Sequence, residues 1–582
     1  MLIIYEWWCS YCGVPRRCQH DCYKLCIEKE RQALLDVKAT YMEVSMIGGA
    51  KGKKWTNHTG HVIELDLTFY FGLTGKISPS LQVLNRLRYL NLNYIDFQFD
   101  HLPNFLGFLS KLQRLDISRA NLSGPIPRHL ANLSNLLHLD LSWNSLWGSI
   151  PFSFGDLTSL TYLDLSQNQL GGVIPKSFGN YSNLEYLNVG HNSLNGSIPN
   201  FIRCPSLSFL DLSSNQLSGN VPNSLGQVSN LDFSSNSLKG AISEVHFLNL
   251  TQLYHLDLSF NSLALDFSSH WSFPFQLLTI KLQSCKLGPR FPIWIKTQGQ
   301  FTHLDISNAG ISDNVPGWFW DLPSGLTFLN LSSNQMKGMI PDMTSYFDDY
   351  PGMDLSNNHF EGRIPLLPSK LASLNLSGNR FSGTLSFLCK IDEVLTFLDL
   401  SFHSLSGSVP DCWLKFQESI VVINLSNNKL SGEIPSSLGF LSNLEALYLR
   451  ANAFVGEVPT SLSNCTQLRF LDLGENKLSG FIPEWIGEKL LELYVLVLGS
   501  NRFYGRFPSQ VCWLHNLQLL DLSNNGLSGN IPRYGNPQLC GPPLTPTCGF
   551  QPIVGKKDVE EDEDDYWKSY YTGMGVGFAV GF

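Results

Sequence analysis

From Leu65 to Pro532 one pattern returns about twenty times, mostly at a spacing of about 24 residues, and that period leaves few folds open. Clear copies are Leu139-Asp-Leu-Ser-Trp-Asn144-Ser-Leu-Trp-Gly148-Ser-Ile-Pro151 and Leu163-Asp-Leu-Ser-Gln-Asn168-Gln-Leu-Gly-Gly172-Val-Ile-Pro175. Two more are Leu471-Asp-Leu-Gly-Glu-Asn476 and Leu520-Asp-Leu-Ser-Asn-Asn525. The Leu-x-Leu pair reads as a short strand with its leucines turned inward, because side chains alternate along a strand. The Asn sits where the chain turns away, and its amide can serve backbone groups of its own turn and of the neighbouring coil. The next Leu fills the core, Gly permits a tight bend and Pro ends the segment. No single period buries its own apolar face, so the periods must stack into a solenoid with one continuous core. A helical array is disfavoured, since Gly and Pro recur inside every period; the variable half of each period is expected to hold short helical or 3₁₀ turns.

Several copies deviate. The Asn position holds Ala120, Cys285, Ala309 and His403, read as tolerated substitutes in the Asn ladder rather than ligands. The steps to Asn236 and Asn379 are short, which predicts a locally tighter solenoid.

Composition narrows function mainly by exclusion. Charged residues make up 15% of the 582 and the net charge is −9, which argues against nucleic acid and selects no other partner. Thirteen Cys are too few for a disulfide-dense scaffold and too scattered for one metal cluster. Cys9, Cys12, Cys18, Cys22 and Cys26 lie together near the start, but no His pair at finger spacing joins them, so no metal is assigned. No kinase Gly-rich loop, Asp-Phe-Gly, Gly-x-Ser-x-Gly or His-Glu-x-x-His occurs, so neither an enzyme nor a cofactor is expected. The first residues form no signal-peptide h-region with a cleavage site, and no apolar run reaches the length of a membrane span.

The period resembles the leucine-rich repeat, and Leu430-Ser-Gly-Glu-Ile-Pro435 resembles its plant-specific class. Cys26-Ile-Glu-Lys-Glu-Arg-Gln-Ala-Leu-Leu-Asp-Val-Lys38 and Thr59-Gly-His-Val-Ile-Glu-Leu-Asp-Leu67 look like the N-terminal cap of plant receptor-like proteins, and Asn536-Pro-Gln-Leu-Cys-Gly-Pro-Pro-Leu544 looks like their C-terminal cap. The resemblance implies an α/β repeat solenoid: a right-handed superhelix with a parallel concave β-sheet and a second small strand in each coil. It is nearest the elicitor-receptor type, which implies a cell-surface subunit that senses microbial molecules and signals in defence through partner kinases. The implied division is an atypical Cys-rich start (1–25), an N-terminal cap (26–64), the repeats (65–532), a C-terminal cap (533–549), an acidic juxtamembrane linker (550–571) and the start of a membrane helix (572–582). The family's N-cap cysteines are replaced here, and the jump from Arg533 to Tyr534 resembles a skipped island region, so the chain reads as truncated and its signalling competence as doubtful.

The tail carries two further signals. Asp558 to Asp565 is an acidic run that reads as an extended, solvated linker. Gly573, Gly577 and Gly581 recur at i+4 beside Tyr566, Trp567, Tyr570 and Tyr571, a spacing that would let a second membrane helix pack closely.

Cys540 and Cys548 are expected to close the C-terminal cap. Cys389 and Cys412 occupy nearly equivalent places in successive coils and are expected to bond across the stack. Cys204, Cys285, Cys465 and Cys512 read as small buried apolar groups. Ten Asn-x-Ser/Thr sequons suit a glycosylated surface protein: Asn57, Asn121, Asn132, Asn180, Asn195, Asn249, Asn330, Asn375, Asn424 and Asn464. Asn330, Asn375 and Asn424 lie between strand leucines, where glycans would block the concave face.

A ligand surface is predicted from the strand residues that face outward. The position before the first strand leucine holds His138, Tyr162, Tyr186, Phe209, His255, His303 and Phe328, and the second position after the strand adds Trp143, His191 and Phe260. Such an aromatic stripe marks a binding surface, or else it stabilises the sheet by stacking. A second, more polar patch is Tyr448, Arg450, Arg469, Phe470 and Glu475. The partners implied are an extracellular protein, peptide or glycan, membrane-spanning adaptor and co-receptor kinases, and the membrane through the C-terminal helix. The alternatives are a developmental peptide receptor, a secreted inhibitor of microbial wall-degrading enzymes, or a non-signalling decoy.

Overall fold

The structure, a computed structural model, describes residues 28–43, 61–67 and 72–528, apart from 202, 224, 226, 269–270, 344–346 and 348–349. The segments 1–25 and 533–582 lie outside the described residues, and with them Asn57, Cys540, Cys548, Gly573, Gly577 and Gly581.

Each Leu-x-Leu becomes a three-residue strand, and these strands stack in parallel from Glu64–Asp66 to Leu519–Asp521. The register is unshifted: Leu139 faces Leu163, then Leu187, then Leu210. The ribbon is open, because among the described residues Glu64–Asp66 pairs only with Tyr89–Asn91 and Leu519–Asp521 only with Val495–Val497. The strand leucines are fully buried, with Leu139, Leu163, Leu187 and Leu210 all at 0% exposure. Each such burial contributes roughly 1.5–3 kcal/mol, and one hydrophobic core runs through the whole stack.

The Asn ladder holds the coils together on the inside. Asn168 Nδ2 donates to the carbonyls of Leu141 on the coil before, at 3.0 Å, and of Leu165 and Ser166 in its own turn. Its Oδ1 accepts from Leu146 N–H of the coil before, at 2.9 Å. The same set recurs at Asn192, Asn358, Asn452 and Asn525. Cys285 keeps one of these bonds, its thiol donating to Leu258 O at 3.2 Å, and burial pushes that thiol up to about 12, so it stays protonated. His403 instead packs edge-on against Phe381.

On the far side of the ladder a second strand in most coils forms two further parallel sheets. One has seven strands, from Ser123–Pro125 to Ser262–Leu265; the other has nine, from Lys337–Met339 to Gly526–Ser528. Between them, among the described residues, only the isolated bridges Ala264–Lys286 and Asn314–Lys337 remain. Here Phe267, Trp271, Phe273 and Phe275 pack with Phe247 and Trp294 where the second strand would continue.

The variable half of many coils holds the expected 3₁₀ turn, as at Arg128–Asn132, Phe152–Asp156 and Ser436–Phe440. The short coils ending at Asn236 and Asn379 contain none among their described residues between Gly219 and Asn230 or between Arg363 and Ser373. Their missing residues come out of the outer wall, while the inner ribbon keeps its register through Phe209–Asn230 and Gly352–Ser373. Outer turns also touch closely: a Cβ on Gly439 would stand 2.3 Å from Ser461 O of the next coil.

At the N-terminal end the helix Glu28–Ala39 buries Ala33 and Val37 against the first coils. Glu30 is 3% exposed and ties the helix to the first strand, accepting from Val62 N–H at 2.7 Å and lying 2.7 Å from His61 Nδ1. Further along, Cys389 and Cys412 form a disulfide between successive coils, with Cα atoms 5.7 Å apart.

Candidate ligand-binding surface

With the middle residue of each strand buried, the first and third positions build the concave face. The first positions bring His138, Tyr162, Tyr186 and Phe209 into one continuous stack, with centroid spacings of 4.0, 4.2 and 4.3 Å. The repeat of the ribbon sets this spacing, since neighbouring strands lie about 4.8 Å apart. The stripe is not continuous beyond Phe209. Asn230 follows, His255 lies in register between Asn230 and Thr279, and a second stack of His303 on Phe328 begins at 4.6 Å. Because ring faces cover one another, the stack offers ring edges to a partner, while the Tyr162 and Tyr186 hydroxyls turn to Asp164 Oδ2. All four rings of the first stack are half-buried.

The third positions carry carboxylates in runs: Asp116, Asp140 and Asp164, then Asp211, Asp232 and Asp257. Each Asp uses Oδ1 for its own turn. Asp140 accepts from Ser142 N–H at 2.9 Å and Oγ–H at 2.7 Å, and Asp164 likewise from Ser166. Oδ2 faces along the ribbon. Burial, reinforced by neighbouring carboxylates, pushes Asp140 and Asp257 up to about 6. Burial, with Arg114 nearby, lowers His138 to about 4, and burial, with Lys281 and His255 nearby, lowers His303 to about 4, so both imidazoles are neutral at pH 7.

A third track runs just before the ladder Asn, where the turn forces φ positive. Tyr94, Arg119, Trp143, His191 and Phe260 have φ of 60, 52, 55, 53 and 54°. Side chains other than Gly, Asn or Asp pay about 1 kcal/mol there. Trp143 and Phe260 are nevertheless about half exposed, at 49% and 51%. Arg119 lies over Trp143 at 4.2 Å and over Tyr94 at 5.7 Å, a cation–π group that the sequence pattern did not single out. The position before each ladder Asn was the signal that marks it.

The second predicted patch is arranged differently. Tyr448 is only 7% exposed and packs with Val422, Ala446, Phe397 and Phe470, so it is part of a small concave core rather than a free contact. Arg450 pairs with Glu475 at 2.5 Å and Arg469 with Glu445 at 3.0 Å, which commits those charges within the protein.

Among the sequons, Asn132, Asn180, Asn195, Asn249 and Asn464 are exposed. Asn121 is half-buried and donates to Asp96 Oδ1 at 2.9 Å. Asn330, Asn375 and Asn424 donate Nδ2 to Asp305, Asp354 and Asp399 on the strands before, at 3.2, 3.2 and 3.0 Å. A glycan on any of these three would have to break that bond. No helix among the described residues is long and apolar enough to cross a membrane.

Stacked parallel strands, a polar ladder and one lengthwise core define a leucine-rich-repeat solenoid with an open concave face. Family descriptions of leucine-rich repeats match residues 110–170, 158–217, 419–441, 467–488 and 516–534. Receptor-like protein EIX2 of Solanum lycopersicum is 44% identical over 187 residues, which is 32% of this chain and 18% of that protein. Receptor-like protein EIX1 of the same plant is 52% identical over 130 residues, 22% of this chain and 13% of that protein. The chain thus matches less than a fifth of the length of either relative. Among solved structures, the plant peptide hormone receptor RGFR1 in complex with RGF2 superposes with a TM-score of 0.64 at 30% identity, over 79% of this chain and 74% of that one. The Arabidopsis receptor kinase HAESA ectodomain with an IDA peptide hormone gives 0.60 at 28%, over 84% and 76%. The chain belongs to the leucine-rich-repeat family, and within it to the plant receptor-like proteins.

Proposed function

We propose that this chain is the extracellular part of a plasma-membrane receptor that binds a microbial elicitor on its concave face and signals in defence through partner receptor kinases. The observation that carries this reading is the His138–Tyr162–Tyr186–Phe209 stack, an aromatic surface lying beside a carboxylate row on an unpartnered sheet face. The tomato relatives support the receptor-like assignment, and exposed sequons support a glycosylated, cell-surface setting.

A developmental role is the second reading, favoured by the hormone-bound neighbours. RGFR1 holds the peptide RGF2, and HAESA is solved with IDA and the co-receptor SERK1. Expression of the chain in leaf tissue, challenged with microbial culture filtrate, tests the first reading. A response lost in Y162A/Y186A/F209A at equal protein level supports it. A response that the triple variant leaves unchanged rejects the stack as the elicitor surface.

A further inference from the structure

We propose that the concave face holds two divalent-cation sites, Asp116–His138–Asp140 and Asp232–His255–Asp257, each presenting two carboxylate oxygens and one imidazole nitrogen to a zinc-like ion. The candidate ligand atoms of each triad lie within 4.8 Å of one another. Both triads use the same register. The two aspartates face each other on adjacent strands, and the histidine begins the second strand, two residues before its aspartate. Two carboxylates and one neutral imidazole form a donor set suited to Zn²⁺ or Mn²⁺, with a coordination position left toward the open face.

The surroundings are already arranged for ligation. Asp116, Asp140, Asp232 and Asp257 each tie Oδ1 to the N–H of the residue two further on, Ser118, Ser142, Ser234 and Ser259, at 3.2, 2.9, 2.9 and 3.0 Å. That bond fixes the carboxylate and turns Oδ2 outward, as supporting hydrogen bonds do around built metal sites; at Asp116 and Asp257 an ion would share Oδ2 with Arg114, at 3.5 Å, and Lys281, at 3.7 Å. His138 Nε2 is buried and has no hydrogen-bond partner, a cost that ligation would remove. Burial keeps both imidazoles neutral, the form that binds a metal.

Charge points the same way. Among the described residues, the run Asp116–Asp140–Asp164 has one ion pair, from Arg114 to Asp116 at 3.5 Å. The run Asp211–Asp232–Asp257 also has one, from Lys281 to Asp257 at 3.7 Å. One cation against three carboxylates leaves each run with excess negative charge, which a dication would offset. His303 provides an internal control. It stands at the same register, but the strand before it carries Lys281 where the triads carry an aspartate, so it has no second carboxylate to share.

Calorimetric titration of the full, untagged chain with ZnCl₂ tests the proposal, with MnCl₂ as a second arm that thiols bind poorly. Phe in place of His removes the nitrogen and keeps a ring, so the stack on Tyr162 survives. The wild-type chain is expected to take up two more equivalents than H138F/H255F, each single variant to lose one, and H303F to lose none. D116N and D232N, checked for an unchanged melting curve, must each lose one equivalent as well. Equal uptake by wild type and H138F/H255F, or a loss in H303F matching that in H138F, overturns the two sites.

Discussion

Tyr162 and Tyr186, one coil apart, direct their hydroxyls at the same carboxylate oxygen, Asp164 Oδ2, at 3.4 and 3.2 Å. Their rings stack 4.2 Å apart, so one buried carboxylate links two strands and braces the centre of the aromatic run. Hydrogen bonds to a charged acceptor contribute about 1.5–3 kcal/mol, less where water competes. Y186F should therefore lower stability by about 1 kcal/mol while leaving the stack in place. Urea unfolding monitored by circular dichroism measures it; no change would mean that the hydroxyl is spent on water instead.

Asn358 is 4% exposed and bonds to Leu331 O at 2.9 Å, Ser356 O at 3.1 Å, Leu355 O at 3.3 Å and Met336 N–H at 3.0 Å. N358A would strand several buried backbone groups, at a cost of about 3 kcal/mol. Ala309 shows that the ladder tolerates a gap where the next Asn compensates, since Asn334 Oδ1 accepts from both Ala309 and Ile311 N–H. Unfolding of N358A within about 0.5 kcal/mol of wild type would show that this coil compensates in the same way.

Gly439 and Gly299 make a matched pair on the outer wall. A methyl group on Gly439 would meet Ser461 O at 2.3 Å and its carbonyl carbon at 2.4 Å, whereas nothing lies within 4 Å of Gly299. G439A should cost about 1–3 kcal/mol through displaced backbone, and G299A should be neutral or slightly stabilising. Thermal melts of the two variants side by side decide it, and equal melting temperatures would contradict the close approach.

Two groups make opposite contributions to acid stability. Burial raises Asp354 from 3.8 to about 6, so its folded form favours the proton and its penalty, complete at pH 7, is relieved as pH falls from about 6 toward 3.8. D354N should thus stabilise the protein at pH 7, with a gain that shrinks by pH 5. Burial lowers His303 from 6.5 to about 4, so the unfolded chain takes up its proton first and stability is lost as pH falls through that window. H303F should remove that loss. Melting temperatures of both variants between pH 7 and 4.5 check the signs; a D354N gain that grows on acidification would contradict the raised carboxyl.

The ribbon was legible because Leu-x-Leu-x-x-Asn specifies strand, turn and partner at once, and a fixed period sets the register of Leu139, Leu163 and Leu187 without reference to distant contacts. Cys389 and Cys412 were legible for the same reason, as near-equivalent positions of adjacent coils. The limits of the aromatic stripe were less so. His255 has the right residue type, but the side chains beside it, Asn230 and Thr279, break the stack. Tyr448 reads as outward-facing from alternation alone, yet Val422, Phe397 and Phe470 enclose it. The crowding of the repeated Asp of Leu-Asp-Leu-Ser on the concave face exists only once the coils are stacked. The break in the second sheet coincides with Phe267, Trp271 and Phe273, whose packing on Phe247 and Trp294 of the neighbouring coils leaves no periodic trace.

The claim that the concave stack is the ligand surface is tested most directly by equilibrium binding of ligand fractions from microbial culture filtrate to three immobilised proteins. These are the wild-type chain, Y162A/Y186A/F209A, and an outer-wall control, F152A/F440A, whose rings are 70% and 53% exposed. Loss of central aromatic contacts should weaken binding by about 30-fold or more in the triple variant. The control should match wild type. Equal affinity in the triple variant, with its fold intact, would contradict the account.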